Sequence, residues 1–332
     1  MGRFQLDRAD LLQRREELKP LVATLMQLPY ETLRACSSFH ILASQDRYGL
    51  PFRLAIQRDT GVVLLIDRFT AEGYKQFYRE YYRPLVAAFN RAPHDQIGFV
   101  ERGQEAYANE LVRHFRGFVQ LHPDSRVLDI GGSTGLIAQR ICSAIGGQAT
   151  IIDPALLELE RARARGLQTV HSMIEDWEPD QTYDLVMLCR SIEHLTNLEG
   201  TFAKVHDLLA PNGLFFVDVV DFMAYCRKLG TPEVVSRTDH CYWLSFDSAE
   251  QFFARLGFRV FYAFNINVSG DWATVGYVLH KDSPRDLPVD TKAMIVELKR
   301  IEAAWHSYLR PRNAALRAAY LTYRRAFPKR RE

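Results

Sequence analysis

Apolar residues follow two spacings along the chain, and the middle of the sequence alternates between them. Apolar runs of strand length occupy residues 126–130, 148–152, 168–172, 184–189 and 213–220. Between them, apolar residues recur every three or four positions, as in residues 136–145, a spacing typical of helices packed through one face. Alternating buried strands and amphipathic helices predict a parallel sheet covered on both sides.

This alternation stops near residue 258. Residues 258–266 and 272–279 are strand-like and are joined by the short turn Ser269-Gly270-Asp271. Such a pair predicts a hairpin, so an antiparallel strand closes one edge of the sheet. The predicted fold class is therefore α/β, a doubly wound and mostly parallel seven-stranded sheet.

Extensions flank this region on both sides, and we predict three units with boundaries at 1–94, 95–282 and 283–332. In the first, residues 52–57 and 62–67 predict a hairpin, and the helically spaced Tyr74, Tyr78 and Tyr82 are expected to pack the extension onto the main domain. The last unit is predicted to be helical, with an apolar stripe formed by Met294, Leu298, Ile301, Trp305 and Leu309. Residues 310–332 are strongly basic, which predicts a solvated helix face or, as the alternative, a weak membrane-surface contact.

Composition narrows the classes of partner and compartment. The net charge of +2 over 332 residues is too small to predict a nucleic-acid partner. The longest apolar runs are far shorter than the ~20 residues needed to cross a bilayer, and the N-terminal residues lack the apolar core of a secretory signal. Five cysteines, of which only Cys36 lies near the first hairpin, form no C-x-x-C pair. We therefore predict a cytoplasmic protein without a metal site.

Candidate chemistry is concentrated in the sequence VLDIGGSTG at positions 127–135. A strand runs into a glycine-rich turn that opens a helix, an arrangement that lets a ligand approach the backbone closely. The dinucleotide pattern G-x-G-x-x-G, started at Gly131, requires glycine at the positions held by Ser133 and Leu136. The pattern present is instead D-x-G-x-x-x-G, with Asp129 two residues before the first glycine.

This segment resembles the first motif of the class I S-adenosylmethionine-dependent methyltransferases, D-x-G-x-G-x-G, with Ser133 at the middle glycine. Four further resemblances follow in the family's order: an acid at Asp153 ending the second strand, IED at 174–176, YDLVMLC with IEHL at 183–195, and LLAPNGL at 208–214. Together they cover about half of the chain. The hairpin at 51–67 and the aromatic stretch at 77–83 resemble a bacterial subset associated with sugars and surface polysaccharides.

The resemblance implies S-adenosylmethionine as cofactor and assigns roles to residues of this sequence. The methionine part is expected to lie along the turn, the ribose against the Asp153 carboxylate, the adenine beside residues 174 and 175, and the methionyl end over residues 189–191. The cofactor-binding residues implied in this way are Asp129, Gly131, Gly132, Ser133, Gly135, Asp153, Ile174, Glu175, Cys189 and Arg190.

Three residues are candidates for the acceptor side, where a hydroxyl acceptor must lose its proton. His240 lies in a segment similar to the family's H-x-x-x-F-S stretch and is expected to face the acceptor, as a base or a contact. His194 is expected to pack or cap, with the role of base as its alternative. Asp221, which like Asp218 ends the fifth parallel strand, is expected to be a polar contact.

These observations predict methyl transfer to a hydroxyl, or another nucleophile, of a small molecule. A sugar or glycan precursor is the expected acceptor, which would place the protein in polysaccharide biosynthesis, and a phenolic metabolite is the alternative. A non-catalytic, partner-binding subunit remains open as a different class, and the sequence predicts no oligomeric state.

Overall fold

The structure is a computed structural model that describes residues 8–33, 38–94, 96–268 and 273–308. Its N-terminal part mixes helices with short strands. In chain order these are α1 (Arg8–Leu25), β1 (Tyr30–Thr32), β2 (Phe39–Ala43), β3 (Leu54–Gln57), β4 (Val63–Leu65), β5 (Asp67–Phe69), α2 (Ala71–Gln76), a π-helical turn (Phe77–Tyr81), α3 (Tyr82–Asn90) and α4 (Ile97–Phe115).

From residue 126 onwards strands and helices alternate. The elements are β6 (Arg126–Ile130), α5 (Leu136–Ile145), β7 (Gln148–Asp153), α6 (Leu156–Ala164), β8 (Gln168–His171), β9 (Tyr183–Leu188), α7 (Leu198–Leu208), β10 (Leu209–Val220), α8 (Phe222–Leu229), α9 (Pro232–Val235), β11 (Tyr242–Trp243), α10 (Phe246–Arg255), β12 (Phe258–Asn265), β13 (Thr274–Lys281) and α11 (Thr291–Tyr308). Single 3₁₀ turns lie at Ile174–Asp176 and Ile192–His194.

A seven-stranded sheet forms the centre of the molecule, in the order β12-β13-β10-β9-β6-β7-β8. Strands β8, β7, β6, β9 and β10 are parallel, whereas β13 is antiparallel to both β10 and β12. The predicted fold class and the antiparallel edge are therefore confirmed. The turn predicted at Ser269-Gly270-Asp271 lies outside the described residues.

The N-terminal hairpin is also confirmed, since β3 pairs with β4 through Leu54↔Leu65 and Ile56↔Val63. The structure adds two strands that we did not predict, because this sheet has the order β11-β4-β3-β2. Its edge strand β11 follows the last parallel strand, β10, in the sequence. It pairs with β4 of the N-terminal part, with Tyr242 opposite Leu64. Residues near position 242 are thus held by the N-terminal extension.

One of the three apolar cores joins the two ends of the described chain. It packs Leu18 of α1, Phe69 and Trp243 together with Trp305 of α11. The stripe predicted for α11 is buried at Met294, Leu298, Ile301 and Trp305, with exposures of 2–6%, while Leu309 and the basic residues 310–332 lie outside the described residues. The boundaries at 94 and 282 stay a prediction. Within the described residues, no helix combines the length and apolarity needed to cross a membrane.

Candidate active site

The glycine-rich turn follows β6 directly and lies at the carboxyl end of the parallel strands, where ligands bind in such sheets. Gly131 adopts φ +67°, a left-handed conformation that favours glycine. A Cβ atom at this position would lie 2.6 Å from Ser191 Oγ. The turn therefore touches the segment after β9, so both predicted parts of the cofactor site meet here.

Ser133 shows why the family motif has glycine at this position. Its φ is +52°, also in the left-handed region, which is unfavourable for a residue with a Cβ atom. Its backbone N–H donates to Asp153 Oδ2 at 2.9 Å, whereas its buried hydroxyl has no hydrogen-bond partner among the described residues. The serine is accommodated, but its side chain gains nothing from its surroundings.

Asp129 is a fully buried carboxylate with 0% exposure. Neither of its oxygens has a hydrogen-bond partner in the described part of the chain. Burial, together with the charge of Asp153, raises the pKa of Asp129 to about 8. A Cβ atom at Gly132 would lie 2.6 Å from Asp129 Oδ2, so the carboxylate lies directly beneath the turn. An uncompensated buried acid is costly, and a bound cationic or donor group would relieve that cost.

Asp153 ends β7 and links two backbone segments. Oδ2 accepts from Ser133 N–H and Oδ1 accepts from Ala155 N–H at 2.7 Å. Burial raises the pKa of this carboxyl to about 6, so it is mostly ionised at neutral pH. Each oxygen retains a further lone pair, which suits the predicted ribose diol.

The turn at Ile174–Asp176 lies after β8, where we predicted an adenine contact. Ile174 is 4% exposed and packs in the apolar core. Glu175 Oε1 accepts from Thr196 N–H at 3.2 Å and from its hydroxyl at 2.9 Å. The Glu175 side chain thus holds the segment just before α7 in place. The cofactor roles of Ile174 and Glu175 stay a prediction.

His194 lies in the 3₁₀ turn that follows Ser191 and is half-buried. Its Nδ1 lies 2.7 Å from the backbone oxygen of Asp239 and 3.1 Å from Tyr78 Oη. Since a carbonyl oxygen can only accept, Nδ1 carries the ring proton and Nε2 is left as an acceptor. Burial lowers the pKa of His194, so the ring is neutral at neutral pH.

His240 lies behind His194, with the two ring centroids 4.7 Å apart in an edge-to-face arrangement. It is 7% exposed, and its Nδ1 is buried without a hydrogen-bond partner among the described residues. Burial holds the pKa of His240 well below its usual range, and the charge of Arg237 lowers it further. The structure therefore brings the two predicted histidines together, with His194 the more accessible.

Asp239 connects this cluster and was not among the predicted site residues. Its carboxylate accepts from Arg237 Nη2 at 2.7 Å and from the Tyr48 hydroxyl at 3.1 Å, and lies 3.4 Å from His240 Nε2. Although burial opposes ionisation, the Arg237 guanidinium holds the pKa of Asp239 below its usual value. The signal available in the sequence was an acid beside His240 in the run RTDHC at 237–241.

Asp221 has both carboxylate oxygens engaged by backbone donors. It caps α8 by accepting from Ala224 N–H at 2.6 Å and binds Phe246 N–H at 3.1 Å. Asp218 is likewise buried and accepts from Arg190 N–H at 2.6 Å. Asp221 thus has a structural role in this arrangement, and its contact with an acceptor stays a prediction.

His194, Asp239 and His240 could in principle hold a cation, because one ligand atom from each lies within 4.8 Å of the others. The carboxylate oxygen that faces His240, however, already binds the Arg237 guanidinium. A second cation there would be repelled by the first. The metal-free site stays our prediction, and Cys36 lies outside the described residues.

Residues 189–191 form the wall between the turn and the histidines. Cys189 is 4% exposed, so it contributes backbone rather than side chain to the cleft. Arg190 has φ +54°, and its exposed side chain lies over the Tyr107 ring of α4, 5.6 Å from the centroid. With this backbone conformation Arg190 leaves the extended path of β9, and its side chain packs against the Tyr107 ring.

The fold and this arrangement define a class I methyltransferase domain. Residues 99–263 match the model of a methyltransferase-domain family. The chain thus contains a domain of the S-adenosylmethionine-dependent methyltransferases, and the predicted family and cofactor are confirmed at the level of this domain.

The chain spans about half or less of the length of the curated relatives that it matches. The ubiquinone biosynthesis O-methyltransferase of Rickettsia canadensis is 26% identical over 132 residues, which are 38% of this chain and 54% of that protein. The lovastatin diketide synthase lovF of Aspergillus terreus is 30% identical over 124 residues, 32% of this chain and 5% of the synthase. An S-adenosylmethionine-dependent methyltransferase of Leishmania major has a similar structure, with TM-score 0.46, 20% identity, and coverage of 63% of this chain and 84% of that one.

Proposed function

We propose that this protein transfers the methyl group of S-adenosylmethionine to a hydroxyl group of a small molecule. The observation that carries the proposal is the tautomer of His194, whose Nδ1 is bound to the Asp239 carbonyl oxygen. The ring thereby offers Nε2 as a proton acceptor three residues after Ser191, whose Oγ contacts the Gly131 turn. A neutral base beside the cofactor site suits an acceptor that must lose a proton.

The residues of the turn fit the cofactor. The unpaired carboxylate of Asp129 suits the amino group of the methionine part, because that group would supply the missing charge and donors. Asp153 has free lone pairs for the two ribose hydroxyls. When bound, S-adenosylmethionine supplies an electrophilic methyl group, and the electron pair of the broken carbon–sulfur bond stays on sulfur.

The remaining chemistry falls to residues of the chain. The cleft aligns the acceptor oxygen with the methyl group, and His194 Nε2 takes the hydroxyl proton as the new oxygen–carbon bond forms. Asp239 then stabilises the protonated ring through its carbonyl oxygen, which holds the Nδ1 proton. His240 packs against the base and, together with Asp239, keeps its orientation. His240 therefore belongs to the acceptor side but acts on His194 in this mechanism.

For the acceptor we retain a sugar or glycan precursor, in a cytoplasmic route of polysaccharide biosynthesis. The four described cysteines are free thiols, which supports a reducing compartment. A phenolic metabolite is the second candidate, supported by the relatives named as ubiquinone biosynthesis O-methyltransferases. Those names also support oxygen as the acceptor atom.

A non-catalytic subunit remains the alternative of a different class, and Asp129 argues against it. A buried, unpaired carboxylate destabilises the fold, and a subunit that binds no cofactor has no physical need for it. The same holds for the orphaned nitrogen of His240.

The test has two stages. Calorimetry should show micromolar binding of S-adenosylmethionine and of S-adenosylhomocysteine to the full chain. S-adenosylhomocysteine formation is then followed with a panel of nucleotide sugars and catechols. Cofactor binding with turnover of a panel member supports the proposal, and the member identifies the acceptor class. Absence of binding to both cofactor forms would favour the non-catalytic subunit.

A further inference from the structure

Four arginines act electrostatically on the two histidines. Arg47 is buried and donates to the Val234 backbone oxygen, and two of the others form ion pairs. Arg83 forms an ion pair with Glu158 at 2.7 Å, and Arg237 forms one with Asp239 at 2.7 Å. The guanidinium of Arg190, in contrast, forms neither a hydrogen bond nor an ion pair within the described part of the chain, and it lies over the face of Tyr107. Among these four arginines, Arg190 is the exposed one, and it lacks a charged partner within the described residues.

The family resemblance implies that Arg190 binds the methionyl end of the cofactor, whereas its contacts in the structure lie towards the acceptor side. Its backbone N–H is held by Asp218 on β10, and its charge acts on Tyr82, Tyr107 and His240. These residues lie towards β10 and the aromatic helices. Asp153, which we expect to bind the ribose, lies at the end of β7, two strands away on the opposite side.

Two buried acids act on the Arg190 charge, although neither forms an ion pair with its guanidinium in the described part of the chain. Asp218 and Glu193 are the carboxyl groups whose charges act on Arg190. Both are buried, and burial raises the pKa of Asp218 above its usual value and that of Glu193 to about 7. Burial opposes the charge of Arg190, but Asp218 and Glu193 help to hold its pKa above the usual value, while its guanidinium stays exposed.

We infer that the guanidinium of Arg190 binds an anionic oxygen group, a carboxylate or a phosphate, carried by the methyl acceptor. A guanidinium offers a planar pair of donors that matches both groups. The Tyr107 ring beneath it holds the side chain in place by a cation–π contact. This inference rests on the proposed function and narrows its substrate class to acidic hydroxylated molecules.

The experiment titrates inorganic phosphate and, separately, benzoate into the full chain saturated with S-adenosylhomocysteine, at constant ionic strength. We expect one saturable site with millimolar affinity for at least one of the two anions. Binding of only one identifies the group as a phosphate or a carboxylate. Arg190→Gln should weaken this binding by about tenfold or more, as expected for loss of a charge-assisted hydrogen bond.

Arg102→Gln is the matched control, because Arg102 is also exposed and also lies 5.6 Å from an aromatic centroid, that of Phe99. The affinity of the Arg102→Gln variant for the anion should stay within about twofold of the affinity of the unaltered chain. Equal anion binding by the Arg190→Gln variant would contradict the inference. So would a variant that instead loses affinity for S-adenosylhomocysteine, since Arg190 would then serve the cofactor.

The two possible failures are distinguishable. A chain that binds no S-adenosylhomocysteine overturns the proposed function, and this inference with it. A chain that binds S-adenosylhomocysteine but neither anion overturns the inference alone.

Discussion

The cofactor side and the acceptor side of the cleft are built in different ways. On the cofactor side, the main polar groups lie between Asp129 and Asp153, in one strand–turn–helix–strand unit. On the acceptor side, Asp239 binds Tyr48, which is 191 positions away, and His194, which is 45 positions away. The first is thus determined by local sequence, whereas the second exists only once the N-terminal extension has docked.

The buried acids of the two sides differ in whether other side chains bind their carboxylates. Asp129 has no hydrogen-bond partner among the described residues, and burial raises its pKa to about 8. Asp239 is equally buried, but Arg237 and Tyr48 bind its carboxylate, and the Arg237 charge holds its pKa below the usual value. An acid left uncompensated suits a ligand that brings the missing partner, whereas a compensated acid suits the positioning of other side chains.

The largest effect is expected on the acceptor side. His194→Ala should lower methyl transfer by about 10²–10⁴-fold, the usual range for loss of a general base, while cofactor affinity stays within about twofold. Because burial lowers the pKa of His194, the unaltered enzyme should keep full activity from pH 7 to 8 and lose it only below about pH 6.5, as Nε2 becomes protonated.

Two variants sharpen this result. His240→Ala should reduce turnover less than His194→Ala, if His240 acts by orienting the base. His114→Ala, which removes a half-buried ring stacked on Phe264, should leave turnover unchanged. A larger loss for His240 than for His194 would reverse the roles of the two histidines.

The next effect concerns the cofactor side alone. Asp153→Ala should weaken S-adenosylmethionine binding by about 1.5–3 kcal/mol, because two charge-assisted hydrogen bonds to the ribose are lost. Asp184→Ala is the matched control, since Asp184 also accepts from a backbone N–H, that of Arg126 at 2.8 Å, but at the amino ends of the parallel strands, opposite the site. Calorimetry that finds equal affinities for the two variants would remove Asp153 from the site.

Asp129 should show opposite effects on stability and binding. Its folded pKa of about 8 lies above the unfolded value. The stability it contributes is therefore full below the unfolded pKa and is lost as pH rises through about 8. Asp129→Asn should remove this pH dependence and raise the free energy of unfolding at pH 9 by about 1–3 kcal/mol, while weakening cofactor binding. A variant less stable than the unaltered chain at pH 9 would contradict the uncompensated acid.

The smallest effect tests the turn itself. Ser133→Gly relieves a left-handed conformation but frees the unfolded backbone, so the free energy of unfolding should rise by at most about 1 kcal/mol, with unchanged cofactor affinity. Ser143→Gly, within helix α5, should instead lower the free energy of unfolding by about 0.5 kcal/mol. Thermal unfolding of both variants provides the comparison, and a loss of stability in Ser133→Gly would show that the serine has a useful contact.

The structure agrees best with the sequence predictions where an element depends on the spacing of neighbouring residues. The parallel strands, helix α5 at its observed bounds and the turn after Asp129 each leave a pattern within a few residues. The partners of Asp239 could not be predicted, because the pairing of β11 with β4 depends on packing between distant segments. Tyr78 shows the limit: its spacing predicted packing correctly, but only the fold places its hydroxyl 3.1 Å from His194.

The pairing of β11 with β4 has a consequence for engineering. Since Tyr242 and Trp243 form the edge of a sheet whose other strands come from the N-terminal extension, the loop that carries His240 is not a self-contained module. A chimera that grafts residues 230–245 alone from a related enzyme would leave β4 without its own edge strand. To exchange acceptor preference, residues 38–70 would have to be transplanted together with that loop.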